Sequence, residues 1–193
     1  ALYTLQTGVM WAHFFDHLGY RLVLTPSTNS RISSSGIESM TAETCYPIKV
    51  SHGHVKELVG KTRFLFLPSI VNMATPTEEE TGFFCPLVQA NQYMVRAALD
   101  LDMERVLNPV LHLKHDLPTL AVELTEQIGD QLGRSRRRIR EALEAGWDRQ
   151  SRFTQALLQK GKEVLEGHDP SEPMVVVTGR PYNLYDERLN LRL

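Results

Sequence analysis

The sequence contains few of the features that assign a function from composition alone. Its 193 residues include 2 cysteines, and no apolar run approaches the ~20 residues that a membrane-spanning helix needs. So few cysteines, in a chain without a secretory signal, argue against a disulfide framework and for a reducing compartment. The net charge of -2 excludes a whole-molecule attraction to nucleic acid or to an anionic membrane. We therefore expect a cytoplasmic globular protein that binds neither.

Several motifs that identify nucleotide and metal sites are also missing. The chain has no GxGxxG loop and no Walker A sequence, which excludes the phosphate-binding loops of most nucleotide enzymes. It has no CxxC or HExxH spacing, which argues against the common zinc sites. These absences predict no ATP site in this chain.

Helical and strand-like segments alternate along the sequence. Apolar spacing and capping residues predict helices over Leu5–Leu18, Ile48–Gly60, Gln89–Leu101, Leu117–Leu132 and from Ser135 to Leu165. The long last helix has a candidate buried face of Ile139, Leu143, Trp147, Phe153, Leu157 and Val164. Short apolar runs predict strands over Arg21–Thr25, Phe64–Pro68, Val106–Leu111 and Met174–Gly179.

This alternation predicts an α/β fold with an open, mostly parallel sheet flanked by helices and with a long C-terminal helix. We expect residues 1–170 to form the α/β domain and residues 171–193 to begin a further strand or segment of a larger protein. Polar loops are expected over 27–39 and 69–85 because these stretches are rich in turn-forming residues. Ligands of such sheets bind at the loops that follow the strands, and both cysteines lie in these loop regions.

The densest cluster of reactive residues surrounds the first cysteine. Cys45 precedes a predicted helix, where the helix dipole and Lys49 would stabilise its thiolate. Glu43, His52 and His54 lie close to it in the sequence. The alternative interpretation is a small buried residue in a turn, because cysteine is among the most buried residue types.

The second cysteine, Cys85, is followed directly by Pro86, an arrangement that occurs beside iron–sulfur ligands. Two cysteines 40 positions apart are too few to close a four-thiolate site. A zinc site of Cys45, Cys85 and one histidine is a weaker alternative, since His52 and His54 would point about 200° apart on a helix.

An arginine-rich run, Arg134–Arg140, could be mistaken for a nucleic-acid patch. It begins a predicted helix, lacks interleaved aromatic residues, and has Glu141 and Glu144 at helical spacing. This pattern is typical of a solvated helix face, with docking to an anion or an acidic partner as the alternative.

Several sequence strings together resemble one family, the uncharacterised domain of large bacterial CoA-substrate-specific enzyme activase proteins, which are related to the activator and dehydratase components of 2-hydroxyglutaryl-CoA dehydratase. The strings are Met10-Trp11-Ala12-His13-Phe14-Phe15, Glu43-Thr44-Cys45-Tyr46-Pro47-Ile48-Lys49, His52-Gly53-His54-Val55, Phe66-Leu67-Pro68, Cys85-Pro86 and Gly179-Arg180-Pro181-Tyr182-Asn183. The resemblance spans nearly the whole chain, and its Cys-Tyr-Pro and His-Gly-His elements are its most specific parts.

The resemblance implies an α/β domain akin to the iron–sulfur dehydratase subunits. It implies that Cys45 and Cys85 ligate an iron–sulfur cluster of the 4Fe-4S type used for low-potential electron transfer, with Glu43, Lys49, His52 and His54 around it. Further ligands would have to come from outside this chain or from a non-cysteine group. The implied partners are an ATPase activator and dehydratase-like components or domains of the same polypeptide, and a homodimer is left open.

Three functions stay open at this point. The first is a cluster-carrying electron-transfer module, and whether it is itself an enzyme is not decided. The second is a metal-free protein-docking domain, and the third is a domain that binds acyl-CoA or another small molecule without redox work.

Overall fold

A computed structural model describes Leu2 and residues 4–75 and 82–190 of the chain. Helices and short strands follow one another along it. The helices are α1 (Thr4–His17), α2 (Ser30–Glu38), α3 (Tyr46–Leu58), α4 (Pro86–Gln89), α5 (Asn91–Leu99), α6 (Leu117–Leu132), α7 (Arg136–Glu166) and α8 (Pro181–Tyr185). The strands are β1 (Leu65–Phe66), β2 (Ser69–Met73), β3 (Val106–Leu107) and β4 (Val110–Leu113), and a 3-10 turn (Met103–Arg105) precedes β3.

The four strands form two short parallel pairs, β1 with β3 and β2 with β4. Hydrogen bonds between the pairs join them into one kinked ribbon: Leu67 N donates to Leu107 O at 2.8 Å, and Ser69 N donates to Pro109 O at 2.8 Å. Pro68 and Pro109 lie at the kink, where neither can donate a backbone hydrogen bond. The prediction of parallel strands is therefore confirmed for these short pairs. The strand predicted over Phe64–Pro68 is reduced to β1, and the strand predicted over Val106–Leu111 is divided into β3 and β4.

Helix α6 covers the free edge of β3 and β4, where a wider sheet would add a strand. Gln127 accepts a hydrogen bond from Val110 N at 2.8 Å and donates to Val110 O at 2.9 Å. One turn later Gln131 Nε2 donates to Val106 O at 3.3 Å. These side chains take the backbone groups that a further strand would use, so the open sheet predicted from the sequence is reduced here to a two-stranded ribbon.

The opposite edge of β2 is also covered. Residues 82–84 run antiparallel to it, with Met73 N donating to Gly82 O and Phe84 N donating to Val71 O, each at 3.0 Å. The prediction of a loop over 69–85 is thus wrong for β2 itself, while residues 76–81 lie outside the described residues.

The main core lies between α1, α6, α7 and the strand ribbon. Its largest fully buried side chains include those of Met10, Phe14, Leu18, Ile70, Leu107, Leu111, Leu120, Leu124, Ile128 and Leu132. Helices α1 and α7 touch at Gly146, where a Cβ atom would overlap the Met10 carbonyl oxygen. This contact explains why a glycine is accommodated inside a long helix despite its low helix propensity.

The helices with clear sequence boundaries form where they are predicted. Asp116 caps α6 by accepting a hydrogen bond from Thr119 N at 2.9 Å, and Gly133 ends it in the left-handed conformation. Ser135 caps α7 through Arg138 N at 3.4 Å. Helices α1 and α3 also match their predicted segments to within two residues at each end.

The prediction of a loop over 27–39 is wrong, because α2 occupies most of it. Asn29 caps the helix by accepting a hydrogen bond from Ile32 N at 3.1 Å. Ile32 and Gly36 are then buried against α3 at the position of Gly53. Packing against a neighbouring helix has overridden the weak local preference of the serines.

Two predicted strands do not form within the described residues. The segments 21–25 and 174–178 belong to no strand pair, and Leu24 and Val175 are 70% and 84% exposed. The helix predicted over Gln89–Leu101 is confirmed as α5 (Asn91–Leu99) to within two residues at each end, and the short helix α4 (Pro86–Gln89) precedes it.

The distal half of α7 also differs from its prediction. Ile139 and Leu143 are buried as expected, but Leu157 and Val164 are more than half exposed.

The arginine-rich start of α7 is the solvated face that the sequence predicts, since Arg138 and Arg140 pair with Glu141 and Glu144 at 3.2 and 3.6 Å.

We predict that Gly53→Ala destabilises the protein by about 1–3 kcal/mol, because its Cβ would overlap the Ile32 carbonyl oxygen and force α2 away from α3. Gly161→Ala is the matched control: it also lies inside a helix, has open space around it, and should gain roughly 0.5–1 kcal/mol. Chemical denaturation measures both changes. Equal effects of the two substitutions would contradict the close packing of α2 on α3.

Candidate functional site

Helix α3 packs beside α4 and α5 with all three running in the same direction. Ile48 and Val88 belong to one buried cluster, and Ser51 Oγ donates to Asn91 Oδ1 at 2.9 Å. Further along, Val55 and Val95 belong to a second buried cluster. Each of these pairs is separated by 40 positions, so the contacts keep one register along the helices.

The same register relates the two cysteines. Cys45 is the N-cap residue of α3 and Cys85 is the N-cap residue of α4, so both lie at the same end of this helix pair. Both are free thiols; Cys45 is exposed and Cys85 is half-buried. The interpretation of either one as a deeply buried structural cysteine is therefore not supported.

Cys85 is held by groups that favour its thiolate. Partial burial raises the pKa of the thiol, but hydrogen bonds from the backbone N–H groups of Leu87 and Val88 and from the Arg180 guanidinium outweigh it, so that the pKa is lowered. Its side chain packs against the buried cluster that contains Ile48. A thiol in such surroundings is prepared to act as a nucleophile or a metal ligand.

Cys45 begins α3 in an extended conformation, and its carbonyl accepts hydrogen bonds from Ile48 N at 3.1 Å and Lys49 N at 3.3 Å. The thiol itself caps no backbone N–H. Lys49 Nζ forms an ion pair with Glu43 Oε2 at 2.8 Å; the Glu43 side chain is exposed, whereas most of the Lys49 side chain is buried. The predicted neighbours Glu43 and Lys49 thus bind each other beside Cys45.

His52 lies two turns beyond Cys45, roughly 10 Å along the helix axis, and is completely buried. Burial lowers the pKa of its imidazole. Within the described part of the chain, neither of its ring nitrogens has a hydrogen-bond partner, and neither does the buried side-chain amide of Gln92, which occupies the corresponding position of α5. His52 is therefore part of the helix interface and is too distant to touch the Cys45 thiol directly.

His54 faces a different side of α3, as its spacing from His52 predicts. Its Nδ1 and Nε2 atoms lie 2.6 and 2.9 Å from the hydroxyl oxygens of Thr25 and Thr28. Thr28 also donates to the Asp186 carboxylate. The His54 ring therefore links the start of α2 to the segment after α8, and it does not face the cysteines.

Sequence reasoning missed a second group of ligand-type side chains. His112, His115 and Glu123 each present one ligand atom, and these atoms lie within 4.8 Å of one another. Among residues 2, 4–75 and 82–190, this is the only group of three or more ligand-type side chains close enough to share one metal ion, and it includes neither Cys45 nor Cys85. The missed signal was the pair of histidines three residues apart at a strand end.

The fold and the site define an α/β domain in which two free thiols begin neighbouring parallel helices. The chain belongs to the family described as the CoA enzyme activase uncharacterised domain, whose profile matches residues 1–193. The resemblance drawn from the sequence strings is thereby confirmed. No curated protein and no solved structure matches the chain significantly.

None of the helices in the described ranges combines the length and the apolar character that crossing a bilayer requires.

We predict that Cys85 alkylates at a lower pH than an ordinary thiol. In a Cys45→Ser background, the pH midpoint of the iodoacetamide reaction reports this thiol alone. Arg180→Gln removes one of the groups that stabilise the thiolate, so the midpoint should rise, while the backbone donors keep part of the effect. Arg188→Gln, which changes a nearby exposed arginine, is the control and should leave the midpoint unchanged. An unchanged midpoint in Arg180→Gln as well would show that Arg180 does not stabilise the Cys85 thiolate.

We predict that protonation of His54 destabilises the fold at acidic pH. Burial lowers the pKa of His54 from 6.5 to about 4, so the unfolded chain binds the proton more readily between these values. Stability should therefore be retained above pH 6.5 and fall by on the order of 2–3 kcal/mol as the pH decreases to 4. Urea denaturation across this range measures the loss.

His54→Gln keeps an amide that can bond both threonines but cannot titrate, so its stability should fall less over the same pH range. Part of the decline will remain, because burial also lowers the pKa of His52. His168→Gln is the control and should follow the native curve. Parallel curves for the native protein and His54→Gln would contradict the assignment.

Proposed function

We propose that this domain is a cluster-carrying electron-transfer module of a CoA-substrate-specific enzyme activase protein, with Cys45 and Cys85 as thiolate ligands of a 4Fe-4S-type iron–sulfur cluster. The observation that carries the proposal is the common register of α3 and α4–α5. It gives two accessible thiols the same position at the N-termini of two packed helices.

The donor set fits part of what such a cluster needs. Cluster irons bind cysteine thiolates, and the backbone N–H groups at a helix N-terminus can donate to thiolate or inorganic sulfur. The backbone N–H groups of Leu87 and Val88 contribute to the lowered pKa of the Cys85 thiol. Because the chain contains 2 cysteines, the remaining ligands would come from a non-cysteine group, from a partner or from another part of the polypeptide.

Positive charge beside Cys85 favours an anionic cofactor. Arg180 contacts Cys85, whereas Lys49, one helical turn after Cys45, is already paired with Glu43. When bound, the cluster would supply one-electron transfer at low potential, and hydrogen bonds and nearby cations would tune that potential. The work of the chain itself is to hold two thiolates, orient helix N–H groups and provide neutralising charge.

We predict that the parent protein, isolated without oxygen together with its partner components, contains iron and acid-labile sulfide and is brown. Cys45→Ser and Cys85→Ser should each lose most of the sulfide and of the visible absorption, because each removes one of two ligands from this chain. The control is His112→Ala/His115→Ala, which should keep both. Sulfide that is absent from the native protein, or unchanged in both serine variants, would overturn the cluster assignment.

A docking domain without metal is the second candidate function, and exposed apolar surface favours it. Leu157, Leu158, Val164 and Leu165 repeat at seven-residue spacing on the distal half of α7, and each is more than half exposed. Single exposed apolar residues are ordinary, whereas a patch of this kind is typical of an interface. The ATPase activator component is the partner we propose for it.

Two substitutions separate these functions. Leu158→Asp/Leu165→Asp should weaken co-purification with the ATPase component while leaving the sulfide content unchanged, and Gln159→Asp on the same helix is the control. A colourless native protein that still co-purifies, and loses its partner in the aspartate variant, would favour docking over the cluster. Ligand-induced thermal stabilisation by an acyl-CoA that both cysteine variants retain would instead favour small-molecule binding.

A further inference from the structure

Two imidazoles and one carboxylate converge where β4 ends and α6 passes over it. His112 lies in β4, His115 in the turn that follows, and Glu123 on the second turn of α6. Glu123 Oε1 lies 3.3 Å from His112 Nδ1 and 2.7 Å from His115 Nδ1. The two rings stack with their centroids 5.1 Å apart and their planes 28° from parallel. Both rings therefore approach a single carboxylate oxygen.

The Glu123 carboxylate is fixed by a separate contact. Its Oε2 atom accepts a hydrogen bond from His112 N at 3.2 Å, at the end of the row of side chains with which α6 covers the strand edge. Glu123, Gln127 and Gln131 form that row at four-residue spacing. A backbone hydrogen bond to one oxygen orients the other, as the outer contacts of metal ligands usually do.

We propose that His112, His115 and Glu123 bind a single divalent transition-metal ion, with Zn²⁺ as the probe that tests it. This site is separate from the cysteines and does not depend on the proposed function. Two histidines and one glutamate are an established ligand set for zinc, and they leave a fourth position for water or a substrate. Both histidines are more than one-third exposed, so that position is open to solvent.

The geometry is close to what the ion requires. Ligand atoms about 2.0–2.1 Å from a tetrahedral Zn²⁺ lie roughly 3.3 Å from one another. The separation of His112 Nδ1 and Glu123 Oε1 already has this value. His115 must retreat by about half an ångström, which its exposed turn allows. The ion then replaces the protons that the two Nδ1 atoms would otherwise direct at the carboxylate.

A plain hydrogen-bond network is the competing explanation, and metal titration distinguishes the two. The experiment uses the Cys45→Ser/Cys85→Ser protein, because free thiols would also bind Zn²⁺. After removal of metal with a chelator, calorimetry should detect one Zn²⁺ per chain. Co²⁺ should give the intense visible absorption of a tetrahedral site. Bound Zn²⁺ should also raise the melting temperature.

His115→Ala and Glu123→Gln should each weaken Zn²⁺ binding by at least about tenfold. His168→Ala, which removes a histidine elsewhere, should leave the affinity unchanged. If Glu123→Gln destabilises α6, the His115→Ala variant still tests the metal site, because the His115 side chain lies in an exposed turn and its removal should not disturb the fold. Zn²⁺ binding that neither variant weakens, or no binding at micromolar metal, would overturn the proposal and leave a hydrogen-bond network.

Discussion

The parallel packing of α3 against α4 and α5 is the constraint on which the arrangement of the site depends. Two buried apolar clusters and the Ser51–Asn91 hydrogen bond link these helices in one register. Because the helices run the same way, their N-termini and their N-cap cysteines lie at one end. The dipole of α3 then places positive potential at that end, and Arg180 adds positive charge beside Cys85, which suits thiolates and other anionic sulfur. A single packing solution thus sets both the geometry and the electrostatics of the thiol pair.

Helix α6 protects the strand edge and also places a carboxylate beside two histidines. A two-stranded ribbon has unpaired backbone groups, and burying them without partners would be costly. Gln127 and Gln131 meet those groups with side-chain amides, and Glu123 continues the row with a carboxylate. The carboxylate needs only one oxygen for the strand edge. Its second oxygen is free to meet His112 and His115, so edge protection and ligand presentation arise from the same helix face.

The reliability of the sequence predictions follows from how local each signal is. Asp116, Gly133 and Ser135 act within one turn of their own helix ends, and the boundaries they predict are confirmed. Asn29 carries the same kind of signal, but the serines that follow it favour a loop. The helix that Asn29 caps is stabilised by its packing against α3 at Gly53. The width of the sheet was not predictable, because it depends on which distant element reaches a strand edge. The pairing of His112 with Glu123 is long-range in the same sense.

By itself, the sequence determined the family and the positions of the longest helices, since family motifs and helix caps consist of residues that are adjacent in the chain. Only the tertiary structure decided that Cys45 and Cys85 begin parallel neighbours, that His54 turns away to Thr25 and Thr28, and that α6 closes the sheet. The physical reason is that side-chain direction and helix register are set by contacts between segments far apart in the chain, and no local pattern contains them.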